Sequence, residues 1–386
     1  MNKIFSVLLL FFTLCGILAA EAQPGTEAYQ KAMTFLEDED LDSALPLLRE
    51  AADAGHPDAI VQLVYVLPDL NEKTKVTLLH KAAEKGNSFA QFNLGNFYFL
   101  NKEPVKAAEF YRLAMLADHP NAGLMFGICC LQGIGIKKDL AAARKAFEVD
   151  IAKGNADAMN YCAVMLCRQG KFEEGIALLE KAADLNHAAA LNNLGILYRN
   201  GNTVEDRKKA FRYFNRSANL GWTAGRRNLI LAYITGCGTA VNYKTARRFA
   251  LNLAQGNDSA AMFILGMMDL CGYGADANPA SAFNWYLKSA KLGHVPAMIQ
   301  VAEMLRAGNG VKADPAAADQ WLQKAKVMTP PEEDPEILTE RIRKKPQNEK
   351  AVLHLLVLYR LDPALSSAEP DLFPAPRGEQ LFPCSG

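Results

Sequence analysis

The stretch "CGYGADANPASAFNWYLKSAKLG", Cys271 to Gly293, sets a Gly-x-Gly turn ahead of a Trp-Tyr pair, and its parts recur in the same order along the chain. "GIGIKKDLAAARKAF" starts at Gly133, "GCGTAVNYKTARRFA" at Gly236 and "GNGVKADPAAADQWL" at Gly308. Eleven positions before each first glycine stands a small anchor: Ala122, Gly225, Ala261 or Ala297. Ala59, Ala90, Ala158 and Ala190 hold the same place in further units, and successive anchors lie 31 to 36 residues apart. That is the period of helical-hairpin arrays. A phosphate loop would need a strand before it, a third glycine and a helix opening directly on the turn. Here a helical stripe precedes the glycines and the pattern returns four times, so the motif reads as scaffold.

Each unit has a physical reading. Ala190, Leu194, Leu197 and Tyr198, like Ala90, Leu94, Phe97 and Tyr98, fall on one face of a helix. The two glycines permit the positive φ of a tight reversal. Asp139, Asn242, Asn278 and Asp314 are placed to cap a second helix, with Pro279 and Pro315 at its first position. Four residues on, Ala143, Ala246, Ala282 and Ala318 form a notch for close helix approach. Seven past the cap stand Phe249, Trp285 and Trp321, with Tyr213 in the unit capped by Asp206 and Ala146 as the exception. These bulky side chains are expected to fill the wedge between helices, and Gly86 or Gly293 then ends the unit. About eight antiparallel helix pairs follow from Thr26 to Val327, an all-α solenoid stacked into a right-handed superhelix.

The flanks differ. Residues 1–22, "MNKIFSVLLLFFTLCGILAAEA", combine Lys3, an apolar run and a small-x-small end, which predicts a signal peptide removed before Gln23. The array spans 23–328. "TPPEEDP" breaks the pattern, and two helical segments within 329–361 are expected to cap the array, the second carrying Ala351 and Tyr359. The stretch 362–386 is proline-rich without periodicity and reads as a disordered tail. In it "LFP" occurs at Leu372–Pro374 and again at Leu381–Pro383, a candidate docking tripeptide or a chance repeat. Export to a bacterial periplasm or medium is expected. The alternative is a eukaryotic secretory lumen, where Asn215-Arg216-Ser217 and Asn257-Asp258-Ser259 would be glycosylation sequons.

Lysine plus arginine and aspartate plus glutamate number 42 each. No global basic field exists to hold nucleic acid or an anionic membrane, and no segment after the leader is apolar enough to span a bilayer.

The order of small anchor, Leu-Gly, Tyr, Gly-x-Gly, cap, Ala and Trp-Tyr resembles the Sel-one-like repeat family, a relative of the tetratricopeptide repeat. "LNNLGILYRNG" at 191–201, "FNWYLKSAKLG" at 283–293 and "GNGVKADPAAADQWLQKA" at 308–325 carry the resemblance best. The units at Ala59 and Ala158 depart from it, lacking the double glycine, and Gly175 replaces a notch alanine. The resemblance implies an adaptor that binds a protein or peptide partner. It also implies that positions two, six and nine past each anchor face the inner curve. Most of those residues are apolar, as in Phe92, Ile128, Met267 and Ile299, so they are either buried core or a greasy groove. The polar ones, Asn96, Asn160, Asn192, Arg199, Arg227, Glu303 and Arg306, are the recognition candidates. A cysteine-rich branch of the family is linked to penicillin binding. Here the cysteine offsets wander between repeats, and that activity is not carried over.

No catalytic constellation, metal site or cofactor emerges. His56, His119, His187 and His294 occupy one repeat position and cannot converge on a metal, and His80 and His354 have no ligand partner in sequence. Cys130 with Cys167, and Cys237 with Cys271, are candidate disulfide staples; the other reading makes them small buried hydrophobes. "EDED" at Glu37–Asp40 is a turn that supplies the cap Asp40. The expected function is an exported interaction scaffold, not an enzyme, with its partner on the concave face. The competing class is a periplasmic cell-wall enzyme, penicillin-binding or hydrolase-like, with a site on that face.

Overall fold

The computed structural model describes residues 23–67, 69–201 and 203–328. The expected signal peptide (1–22), capping helices (329–361) and tail (362–386) lie outside the described residues. Among those described there are 18 helices and no strand. They form antiparallel pairs of the α-solenoid class: α1 (Thr26–Glu37) with α2 (Leu41–Asp53), α3 (Pro57–Val66) with α4 (Glu72–Glu84), and α5 (Ser88–Leu100) with α6 (Pro104–Leu116). The series continues with α7 (Ala122–Gln132) and α8 (Leu140–Ala152), α9 (Ala156–Arg168) and α10 (Phe172–Asp184), and α11 (Ala188–Arg199) and α12 (Val204–Asn219). It ends with α13 (Thr223–Thr235) and α14 (Tyr243–Gln255), α15 (Ser259–Cys271) and α16 (Pro279–Lys291), and α17 (Val295–Ala307) and α18 (Pro315–Met328). The chain divides into two compact units inside α9, the first ending at Cys162 and the second starting at Ala163. The pair that the repeat count lacks is α1–α2, where Ala28, Ala32, Ala44 and Leu48 form a buried cluster.

The glycine turn works as read, with one addition. Gly272 ends α15 in the left-handed region (φ 71°), and the Tyr273 N–H closes on the Met268 carbonyl at 2.8 Å. The Asn278 side chain then accepts from the Ser281 N–H, with Pro279 at the first helical position. The second glycine is also a stacking contact. A Cβ at Gly135 would lie 2.0 Å from the Pro104 carbonyl oxygen, at Gly238 2.0 Å from that of Arg207, and at Gly310 2.3 Å from that of Pro279. In each case the turn abuts the first turn of the preceding hairpin's second helix.

The wedge between paired helices is filled one residue later than expected. Trp285 and Trp321 are only partly buried at the margin of the core, each under a lysine ammonium, Lys288 at 4.5 Å and Lys324 at 4.6 Å from the ring centroid. The inward position is one helical turn beyond the notch alanine, four residues on, because i and i+4 share a face. There stand Tyr111, Phe147, Phe214 and Tyr286, each at most 2% exposed. Each ring lies against a glycine of the first helix, Gly95, Gly127, Gly195 or Gly266, where an added Cβ would come within 2.5 to 2.7 Å. Other hairpins fill the same space differently: Ile230 with Ala250, and Ala302 with Leu322, all packed in or against one core cluster. Large meets small at each of these six pairs, as close packing requires.

One cap also moves. The N-cap of α12 is Thr203, not Asp206, and Asp206 closes a capping box as its third helical residue.

Candidate recognition surfaces

Most of the polar residues proposed from the first helices are engaged within the array. In the first unit Asn96 is 6% exposed and accepts a hydrogen bond from the Tyr111 hydroxyl at 2.7 Å, and Asn160 is half-buried on α9. In the second unit Asn192 accepts from the Asn228 amide at 2.9 Å, and Arg199 donates to the Asn228 oxygen at 3.2 Å. Arg227 lies 3.5 Å from Asp258, which itself caps α15 through the Ala261 N–H at 2.7 Å. Arg306 pairs with Asp319 at 2.6 Å, and Glu303 is half-buried on α17. Asn192, Arg199 and the unforeseen Asn228 are brought together. The apolar members Ile128, Val164, Ile196, Leu231 and Met267 are buried, so that stripe is core.

The position two past the anchor explains why. It meets the residue that opens the next hairpin: Phe92 stacks on His119 with centroids 4.1 Å apart, Phe263 lies 5.1 Å from His294, and Arg227 reaches Asp258. The repeat-position histidines are therefore joint residues. His56 and His187 cap their helices by accepting the N–H of Ala59 and Ala190 at Nδ1, a role open only to the uncharged ring. Burial lowers the pKa of His119 to about 3 and that of His294 to about 4, with Lys153 and Arg227 adding to the respective shifts.

Asp150 is a further titratable group held inside the array. Its carboxylate, 0% exposed, accepts the Leu124 N–H at 2.7 Å and so caps α7 from the paired helix. Burial pushes its pKa up to about 6, against the opposing pull of that hydrogen bond and of Lys153. Gly123 makes room for it, since a Cβ there would fall 2.8 Å from Oδ1.

Cys130, Cys167, Cys237 and Cys271 are all thiols in the structure. Cys130 and Cys167 are buried, and burial pushes Cys130 up to about 11. Cys237 is half-buried beside its glycine turn, and Cys271 is exposed at the end of α15.

Two open hollows mark the second unit. One, of about 650 Å³, is apolar and lined by Leu292, Met298, Trp321, Val327 and Met328. The other, of about 430 Å³, runs along α14 past Lys244, Arg248, Leu251, Asn252 and Gln255. Neither gathers a nucleophile with a base, or a carboxylate pair. Among the described residues no group of three or more His, Cys, Asp or Glu is placed to hold a metal ion, and no helix is long and apolar enough to cross a membrane.

The joints, the glycine turns and the hairpin period coincide with a family pattern: residues 88–119, 123–147, 156–187, 188–222, 259–294 and 295–326 match the Sel1 repeat model. The chain is a Sel1 repeat protein. The hairpin α13–α14 falls between two matched segments. The chain is 27% identical over 155 residues to DAP3-binding cell death enhancer 1 of Rattus norvegicus, covering 35% of this chain and 30% of that protein. It is 31% identical over 138 residues to human protein sel-1 homolog 2, covering 32% and 20%. It thus spans less than a third of these relatives. The fold is similar to that of a Sel1 repeat protein from Oxalobacter formigenes (TM-score 0.52, 23% identity, 61% of this chain and 97% of that one). It is also similar to a protective antigen of uropathogenic Escherichia coli (TM-score 0.51, 20% identity, 87% and 83%).

Proposed function

We propose that this Sel1 repeat protein is an exported interaction scaffold that holds a protein or peptide partner on its repeat surface. One observation carries the reading. The side chains that the repeat prescribes are engaged in turns, wedges and joints, which leaves the solvent-facing positions of successive helices to vary for recognition. The name of the rat relative refers to protein binding, in keeping with a scaffold. Export rests on the leader-like residues 1–22. The first-helix residues Arg199 and Arg306 contribute recognition only where their side chains extend beyond their joints.

The test is photo-crosslinking in the native host. A benzoyl-phenylalanine is placed at exposed second-helix positions, and the mature N-terminus is read by mass spectrometry. Defined protein adducts and a chain beginning at Gln23 are expected. Covalent labelling of the purified chain by a fluorescent penicillin, blocked by excess unlabelled drug, would sink the scaffold reading in favour of a cell-wall enzyme.

A further inference from the structure

The chain as a whole is neutral, but its charge is segregated. Between Val204 and Gln255, which make up α12, α13 and α14, ten basic residues stand against two acidic ones, while the rest of 163–328 is balanced at ten against ten. Within 163–328 the entire basic excess therefore lies on these three helices.

The repeat itself does not ask for it. Ala210 and Ala246 are equivalent notch residues, both 0% exposed, which puts Lys208, Arg212 and Arg216 in register with Lys244, Arg248 and Asn252. The five cations are exposed and spaced i, i+4, i+8 on α12 and i, i+4 on α14. At the positions of Lys208 and Arg212 the other hairpins of this unit carry Glu173 and Ala177, Ala280 and Asn284, and Ala316 and Gln320. The fold thus accepts neutral residues there. Like charges at i, i+4 also weaken a helix. Part of the band is engaged locally: Arg212 pairs with Glu205 at 2.8 Å, Arg216 donates to the Ala183 carbonyl at 3.1 Å, and Arg247 is held by the buried carboxylate of Asp269. Lys208 and Lys244 keep their ammonium groups for solvent, and the exposed Arg248 guanidinium lies over the Phe249 ring at 5.4 Å.

We infer that this band, Lys208, Arg212 and Arg216 with Lys244 and Arg248, is the docking surface for an acidic segment of the protein partner. This deepens the scaffold reading and rests on it. The hollow along α14 gives the band its shape: Leu251, 38% exposed, offers an apolar contact between the cations and the amides of Asn252 and Gln255, which can pair with a peptide backbone. Nucleic acid fits less well. Sequence-tolerant nucleic-acid binding pairs cations with aromatic faces for base stacking, and the rings of α12 and α14 are already stacked within the array, Tyr213 on Tyr198, Tyr243 on Tyr273 and Phe249 on Tyr233. The hairpin α13–α14 is also the one in this unit that departs from the family pattern.

The experiment uses the full mature chain and a fluorescein-labelled acidic peptide of about sixteen residues, alternating Glu pairs with Leu. Fluorescence anisotropy at about 50 mM salt is expected to show saturable binding that weakens at least tenfold by about 200 mM, as screening of exposed charges requires. The variant Lys208→Glu/Arg212→Glu/Lys244→Glu/Arg248→Glu, its fold checked by circular dichroism, should lose at least tenfold in affinity. Lys288→Glu/Lys324→Glu, on other hairpins, should lose none. A peptide with Gln for Glu should not bind. No binding of the acidic peptide, an equal loss in the control variant, or tighter binding of an oligouridylate of the same charge would each overturn the inference. Salt-sensitive self-association of the chain that consumes the band would overturn it too. The crosslinking result above stands apart from all four outcomes.

Discussion

Gly195→Ala tests the wedge where helix propensity and packing pull in opposite directions. Alanine is the better helix former by about 1 kcal/mol in a helix interior, and Gly195 sits inside α11. Its Cβ would stand 2.5 Å from Cδ1 and Cε1 of Phe214 and 3.0 Å from Cζ. The ring is 1% exposed, enclosed by the hairpin core, and cannot swing out. Overpacking of this kind costs about 1–3 kcal/mol, and the upper half applies because the ring has no escape. The net loss is then about 1–2 kcal/mol despite the propensity gain. Phe214→Leu alone leaves a cavity and costs about 1–2 kcal/mol. The double variant rebuilds the Ala-with-Leu pairing that the chain itself uses at Ala302 and Leu322. Its loss should fall short of the sum by about 1 kcal/mol or more. A repeat array opens piecewise, so the readout is hydrogen exchange of peptides from α11 and α12, not a global melt. Additive losses, with coupling under about 0.3 kcal/mol, would refute the wedge.

The glycine turns and the buried titratable groups give three further predictions. Gly135→Ala meets the Pro104 carbonyl oxygen at 2.0 Å as well as a positive φ of 69°, whereas Gly154→Ala at φ 81° meets nothing within 4 Å. The second should cost only the left-handed strain of about 1–2 kcal/mol and the first at least twice that, read as loss of exchange protection in the local hairpin. Asp150 has a folded pKa near 6, above the ordinary value, so its contribution to stability is full below about pH 4 and is lost as pH rises through 6. Asp150→Asn keeps an acceptor for the Leu124 N–H, and relative to wild type it should gain exchange protection in α7 and α8 at pH 8 but not at pH 4. His119 runs the other way: its folded pKa near 3 lies below the ordinary 6.5, so its contribution is present above that value and is lost as pH falls toward 3. Its ring proton resonances should show no titration between pH 5 and 8, and a midpoint near 6.5 would refute the buried, uncharged joint.

What the sequence made legible was whatever the repeat imposes many times over. Helix period, Gly272 as C-cap, Asn278 as N-cap and Ala282 as notch each follow from local backbone chemistry, and all four stand as read. The wedge lies one residue past Trp285, although Trp285 is the larger side chain. Direction decides it instead: Tyr286, four residues past Ala282, points inward, and Gly266 opposite has already vacated the space. That pairing is a contact between helices about twenty residues apart in sequence, and no local propensity signals it. Several polar residues at positions two, six and nine are held within the array for a related reason. A side chain such as Arg227 looks unsatisfied in its own repeat, yet its partner Asp258 opens the next one.

The basic band was in the sequence all along, as ten against two between residues 204 and 255, but a sum over the whole chain returns zero. A scaffold has no catalytic triad to betray its working surface. The useful signal is the residue that remains when the requirements of the repeat are subtracted position by position. Trp285, Asn278 and Gly274 vanish under that subtraction. Lys208, Arg212, Lys244 and Arg248 do not, because the equivalent positions of the other hairpins carry alanine, asparagine, glutamine or glutamate. A charge that packing does not need and helix formation disfavours is explained by what it meets in solution.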